Sequence, residues 1–217
     1  MKLGVMLFAL CTLASASQGN ILNYGFDDGP NGWRVVVLNH EGNFEQLGIG
    51  EDRWHSTGGN PGGYIETQDW SSSWTCFRAP NTVVGNRLSW YGGSIEFDLR
   101  TDYADNLARP VVLLKSAGLN ACYQAVAPRP TWTHQAVPLT TPGWTKDFGG
   151  NIPVTDSELR QVLEDLTGIY VGTEWQISPP QETTGLDNFS ISEPVPEPSA
   201  LLALLCGLGG LARLRKR

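Results

Sequence analysis

Asp27 stands in the early segment FDD (residues 26–28) and Asp187 in the late segment GLDNFSIS (185–192), and between them they could hold a cation. In the late segment Asp187 shares alternation parity with Phe189 and Ile191, which predicts a carboxylate on the inward side of a strand at a sheet rim. A carboxylate in that position needs a partner. If the first and last strands are neighbours, Asp27 comes beside it. Two carboxylates completed by carbonyls from the Gly-rich stretch near residues 56–60 would then suit calcium, a hard cation that takes oxygen ligands. The alternative is a pair of solvated turn acids. Sugar binding is the second chemistry in view, because a flat indole face is what a sugar ring stacks on. Trp54, Trp70, Trp74, Trp132 and Trp144 lie in or beside loops, although most tryptophans of a small domain fill its core. Trp70, next to a serine run, and Trp132, close to Pro130, are the candidate ligand-binding residues.

Catalytic patterns are missing from the sequence. His40, His55 and His134 are isolated, and neither a G-x-S-x-G elbow nor an H-E-x-x-H pair occurs. Asp27, Asp52, Asp69, Glu174 and Asp187 could meet as a glycosidase acid pair, but a chain this rich in acids brings some together by chance. The expectation is that the protein is not an enzyme.

Cys76 and Cys122 lie between the two terminal segments described below, and an oxidising compartment would let them pair. That bond would close a loop of about 45 residues, worth about 4 kcal/mol in the chain-entropy account. Two free buried thiols are the other reading. A metal site at the cysteines is not expected, since no His or further Cys sits at ligand spacing.

The elements that must position these residues are mostly strands. Gly 25, Pro 14 and Trp 8 in 217 residues, with one clear helical pattern, predict an all-β antiparallel sandwich with one short helix. The helix is written in residues 153–175: Thr155 and Glu158 form a capping box, Leu159, Val162, Leu163 and Leu166 make one apolar stripe, and Gly168 stands as its C-terminal cap. A strand from Ile169 follows. Residues 23–37 read as an opening hairpin, 59–63 force a loop, and 72–78, 93–100, 110–116, 121–126, 131–139 and 185–192 read as strands.

Both ends carry addresses. Residues 1–16 have the basic, apolar and small-residue parts of a secretory signal peptide ending at Ala16. At the other end VPEPS (195–199), an apolar run over 200–212 and Arg213, Arg215, Lys216 and Arg217 are similar to the PEP-CTERM sorting signal of Gram-negative bacteria. That resemblance implies export, transient anchoring in the membrane through the C-terminus, and removal of the segment by an exosortase-type enzyme, with a plain tail anchor as the alternative. The apolar run spans about 20 Å as a helix against about 30 Å of hydrocarbon, short for a permanent anchor. The expected organisation is therefore a signal peptide at 1–16, a sandwich at 17–193 and a sorting segment at 194–217. Removing both ends takes the net charge from −7 to about −11, which disfavours nucleic acid and anionic membrane as partners.

LSWYGGSIEFDLR (88–100), VVLLKSAG (111–118), Trp144 and VTDSELRQVLEDLTGIYVGTEW (154–175) together resemble the laminin IV type A (laminin B) domain. GGNPGGYI (58–65), FRAP (77–80) and Val84-Gly85-Asn86 are similar to its earlier half. The resemblance implies a jelly-roll sandwich of the galactose-binding type, a fold used by carbohydrate-binding modules, and no catalytic residues. The expected function is an exported binding or adhesion module of the cell envelope or the extracellular polysaccharide matrix. A structural matrix protein without a discrete ligand is the second reading and a glycosidase the third.

Overall fold

The computed structural model describes residues 20–39, 45–47, 53–69, 73–126, 128–176 and 182–194. The signal-peptide and sorting-signal segments, and Trp70, lie outside the described residues. Gly19–Pro194 forms one compact unit.

Two antiparallel sheets face each other. The first contains β1 (Asn20–Tyr24), β4 (Arg53–His55), β5 (Tyr64–Gln68), β7 (Ser94–Thr101), β10 (Thr133–Pro138) and β13 (Thr183–Ser192), in the order β10-β7-β13-β5-β4 with β1 also on β13. The second contains β2 (Arg34–Leu38), β3 (Glu45–Leu47), β6 (Trp74–Arg78), β8 (Ala108–Ser116), β9 (Asn120–Val126), β11 (Trp144–Thr145) and β12 (Leu166–Gly172), in the order β11-β9-β8-β12-β6-β2-β3. The facing sides of the two sheets supply the core. In β7, Ile95, Phe97 and Leu99 are fully buried and pack with Leu186, Phe189 and Ile191 of β13 and with Phe77, Val112, Leu114, Ile169 and Val171 of the other sheet. This is the antiparallel jelly-roll sandwich with one helix that the sequence predicts.

The helix α1 (Asp156–Glu164) starts as its residues dictate. Thr155 Oγ1 accepts the Glu158 N–H, the Glu158 carboxylate accepts the Thr155 N–H, and Leu159, Val162 and Leu163 are buried. Its end is earlier than predicted. Asp165 caps it, β12 already begins at Leu166, and Gly168 lies within the strand. Glycine is needed there for packing, because a Cβ would sit 2.6 Å from the Tyr170 ring.

The opening hairpin does not form. β1 pairs with β13, whereas β2 pairs with β3 and β6 in the opposite sheet, so residues 25–33 carry the chain across the sandwich. Left-handed backbone at Phe26 (φ 55), Asn31 (φ 51) and Gly32 (φ 82) makes that crossing. The Phe26 ring holds its strained backbone by edge-to-face contact with Trp33 at 5.9 Å.

Cys76 and Cys122 are both buried and are not joined to each other. They stand on β6 and β9, three strand spacings apart in the second sheet, about 14 Å against the 4–7 Å a disulfide tolerates. Pairing was plausible from their number alone; the strand order forbids it. With Val36, Leu38, Trp74, Leu113 and Tyr170 they form an apolar cluster outside the main core, on which Phe148 packs. Burial pushes the Cys122 thiol up to about 12, so it behaves as a small apolar side chain.

Candidate functional site

Register fixes what the outer face of the first sheet displays. Arg100 of β7 pairs with Gly185 of β13, Gly185 pairs with Glu66 of β5, and Tyr64 pairs with His55 of β4. All of these have the parity opposite to the core residues Leu99, Leu186 and Ile65. Trp132, from the turn before β10, lies over this row: a Cβ on Gly185 would be only 3.0 Å from its Cη2. A glycine in the middle of the closing strand therefore makes room for an indole.

These side chains lock one another in place. The Arg100 guanidinium lies 4.5 Å from the Tyr64 ring centre and 4.8 Å from that of Trp132, and the two rings meet edge to face at 5.4 Å. Arg100 Nη2 donates to Tyr64 Oη (2.7 Å) and to Glu66 Oε2 (3.3 Å), while His55 stacks on the Tyr64 ring at 4.5 Å. Burial, then the Glu66 charge, raises the Tyr64 phenol, which stays protonated and able to donate. Beside this group is an open depression of about 290 Å³ lined by Glu66, Arg100, Thr101, Asp102, Pro130 and Thr183. A guanidinium, two carboxylates and the Thr183 hydroxyl beside the half-buried Trp132 indole can both stack on a polyhydroxylated ring and hydrogen-bond its rim, with the buried Tyr64 as support beneath.

Trp132, the ligand contact expected from the sequence, stands on a face with Tyr64, Glu66 and Arg100, which the sequence did not single out. Tyr64, Glu66 and Arg100 look like ordinary solvent-side positions of alternating strands. Their only signal is the parity of YIETQ and SIEFDLR, and it becomes meaningful once β5, β13 and β7 are known to be adjacent. Of the other tryptophans, Trp74 and Trp144 are buried, and Trp54 is 39% exposed at the sheet edge with its indole N–H on the Phe26 carbonyl (2.6 Å).

Asp187 is fully buried, but not on the inward side. The register of β13 against β7 shifts between Asp187 and Ser190, and Asn188 takes a left-handed turn (φ 50), so Asp187 pairs with Asp98 and faces away from Phe189 and Ile191. The bulge overturns the parity argument. What buries the carboxylate is the loop at residues 58–63: Asp187 accepts the N–H groups of Asn60 (2.5 Å) and Asn188 (2.6 Å). Asp27 reaches the same loop and accepts the Gly63 N–H at 3.0 Å. Asn60 and Asn188 each donate a side-chain N–H to Asp98 Oδ2, at 3.1 and 2.8 Å, and Asp98 Oδ1 lies 2.9 Å from His134 Nδ1. Burial raises the Asp187 carboxyl above its ordinary range, with the Asp98 and Asp27 charges adding to the rise and the two N–H bonds opposing it.

Asp27 and Asp187 grip a loop whose glycines leave no room for side chains, since a Cβ at Gly59 would be 2.5 Å from Asp187 Oδ2 and one at Gly62 only 2.0 Å from Asp27 Oδ1. The Asp27 and Asp187 carboxylates and the loop carbonyls are hard oxygens of the kind calcium takes, and the His134 ring nitrogen nearby is engaged with Asp98. Among the described residues no three His, Cys, Asp or Glu side chains converge as a metal cluster, so loop carbonyls would have to complete any shell.

A second acid group lies near the start of β13. Glu182 accepts the Trp175 N–H, Asp69 accepts from Thr75 Oγ1 at 2.7 Å, and Glu174 is pushed up to about 8 by burial and by the Asp69 and Glu182 charges.

No match was found among curated proteins. Among solved structures the chain is similar to the L4b domain of human laminin alpha-2, at 13% identity and a TM-score of 0.58 over 75% of this chain and 92% of that one. It is also similar to the family 11 carbohydrate-binding module of the cellulosomal cellulase Lic26A-Cel5E of Clostridium thermocellum, at 12% identity and a TM-score of 0.50 over 85% of this chain and 99% of that one. An exo-beta-agarase shares the fold over a quarter of its own length, at 13% identity, a TM-score of 0.52 and 83% of this chain. The sequence pattern of Laminin B (Domain IV) matches residues 76–204, more than half of the chain, and the protein accordingly belongs to the Laminin B (Domain IV) family.

Proposed function

We propose that the protein is an exported, non-catalytic glycan-binding module that holds a neutral sugar chain on the outer face of its first sheet. The observation that carries this reading is the Tyr64–Arg100–Trp132 stack beside a depression lined by Glu66, Asp102, Thr101 and Thr183. The carboxylates at its rim would repel a uronate and accept from sugar hydroxyls. A fold shared with a carbohydrate-binding module supports the reading without supplying a ligand. Calcium held by Asp27, Asp187 and loop carbonyls is part of the proposal, as a brace for the loop and not as a reactant. So is delivery to the cell envelope or the extracellular polysaccharide by the terminal segments, with an exosortase-type enzyme as processing partner.

Full-length protein should give saturable binding to neutral oligosaccharides on a glycan array. Isothermal titration with the best array hit should show at least a tenfold weaker Kd for Trp132→Ala and Arg100→Ala, and no new reducing ends should appear on long incubation. Absence of saturable binding would leave a structural matrix protein as the better reading. Sugar release abolished by Glu174→Gln would make it a hydrolase.

A further inference from the structure

The loop at residues 58–63 touches both the Asp27–Asp187 acids and the Tyr64–Trp132 platform. On one side it is held by carboxylates: the Asn60 N–H is donated to Asp187 and the Gly63 N–H to Asp27. Its own Gly59 N–H closes on the Gly62 carbonyl at 2.9 Å. On the other side it holds the aromatic platform. The Trp132 indole N–H donates to the Gly58 carbonyl at 3.1 Å, across 74 residues of sequence, and Tyr64 follows Gly63 directly as the first residue of β5. A Cβ at Gly58 would be 3.4 Å from the Tyr64 ring, in van der Waals contact, and one at Gly63 would be 2.3 Å from the Phe26 carbonyl. The loop is therefore wedged between the crossing segment that bears Asp27, the bulge that bears Asp187, and the platform.

We infer that Asp27 and Asp187 are positioning residues for the aromatic platform: by clamping residues 58–63 they fix the Gly58 carbonyl that anchors Trp132, although neither belongs to the lining of the depression. Two features of the chain favour a clamp over ordinary loop packing. Phe26 keeps left-handed backbone, rare for a bulky residue, immediately before Asp27. Asn188 does the same immediately after Asp187, in the strand that must bulge to turn Asp187 toward the loop. Both carboxylates are thus delivered to the loop by strained backbone, and both act through backbone N–H groups on it. Positional coupling then follows mechanically. Releasing either N–H lets the loop relax, and the Gly58 carbonyl moves with it. Trp132 sits in a turn and is held by this hydrogen bond and by ring contacts with Arg100 and Tyr64.

The inference takes its biological meaning from the glycan-binding reading, but its test needs no sugar, so the two can fail separately. In proton–nitrogen correlation spectra of the 15N-labelled full-length protein, the Trp132 indole signal is identified by its loss in Trp132→Phe. The Trp144 indole, which donates to the Pro138 carbonyl at 2.8 Å within the core, is the internal control. In Asp187→Asn and in Asp27→Ala the Trp132 signal should move upfield and exchange with solvent at least tenfold faster, with the Trp144 signal and the far-ultraviolet circular dichroism unchanged. Asp27 is exposed, so its variant decides the matter even if the Asp187 variant does not fold. A Trp132 signal that keeps its wild-type shift and exchange rate in folded Asp27→Ala overturns the inference, whatever the glycan titrations show.

Discussion

Glu174 shows what one side chain can report about the fold. Among the described residues its buried Oε2 has no hydrogen-bond partner, and burial plus the Asp69 and Glu182 charges hold its proton up to about 8, against 4.5 ordinarily. Between those two values the folded protein keeps a proton that the unfolded chain has released. Stability must fall as pH rises through that window. Burial raises the Glu182 carboxyl as well, with the same sign. Glu158 is the opposite case: the Lys146 ammonium and the Thr155 backbone N–H lower it to about 2, so its contribution is lost only in strong acid and does not interfere. The thermal midpoint should decline between pH 5 and 9, and Glu174→Gln should flatten that decline. A wild-type midpoint flat over this range would mean the three acids do not interact as their positions imply.

Single elements were read from the sequence with uneven success, for reasons that are local. The helix start was legible because Thr155 and Glu158 satisfy each other's backbone donors without outside help. Its end was not, because Gly168 serves the Tyr170 ring and not a cap. The loop at residues 58–63 was legible as a loop from its glycines, whereas the direction of Asp187 was lost to a bulge that only pairing with β7 reveals. This loop is also where calcium would act. Two carboxylates closing on it repel each other unless a cation or a proton intervenes. Calcium should raise the melting temperature by mass action, by about 2.7 kcal/mol of stability at a hundredfold excess over its dissociation constant. Chelator should reverse that, and Asp187→Asn should be less stable and insensitive to chelator. Superimposable melts of demetallated protein with calcium and with chelator would leave Asp187 held by the Asn60 and Asn188 N–H groups alone.

At the scale of the molecule, pairing of the first strand with the last closes the compact unit Gly19–Pro194 and puts the Asp27 segment on the Asp187 bulge. Among the described residues no helix is long and apolar enough to cross a membrane. The apolar run at 200–212 lies outside them, and its fate is open to direct measurement. Intact mass of envelope-associated protein should correspond to a start near Ser17 and an end near the Pro196-Glu197-Pro198 tripeptide. Recovery of Arg217 in that material would replace the sorting signal with a tail anchor.

The sequence by itself determined the class of the fold, because strand alternation, the turn glycines and the capping box each act within a few residues and need no distant partner. It also raised sugar and hard-cation binding as the expectations to be tested, through Trp70, Trp132, Asp27 and Asp187. Only the tertiary structure decided which residues share a face. Tyr64 and Glu66, Arg100, and Trp132 come from three separate stretches and meet because β5, β13 and β7 are adjacent and Gly185 leaves space for the indole. The same strand order set Cys76 and Cys122 too far apart to bond. Sheet neighbours and bulges are consequences of packing two faces against one core, and no window of sequence contains them.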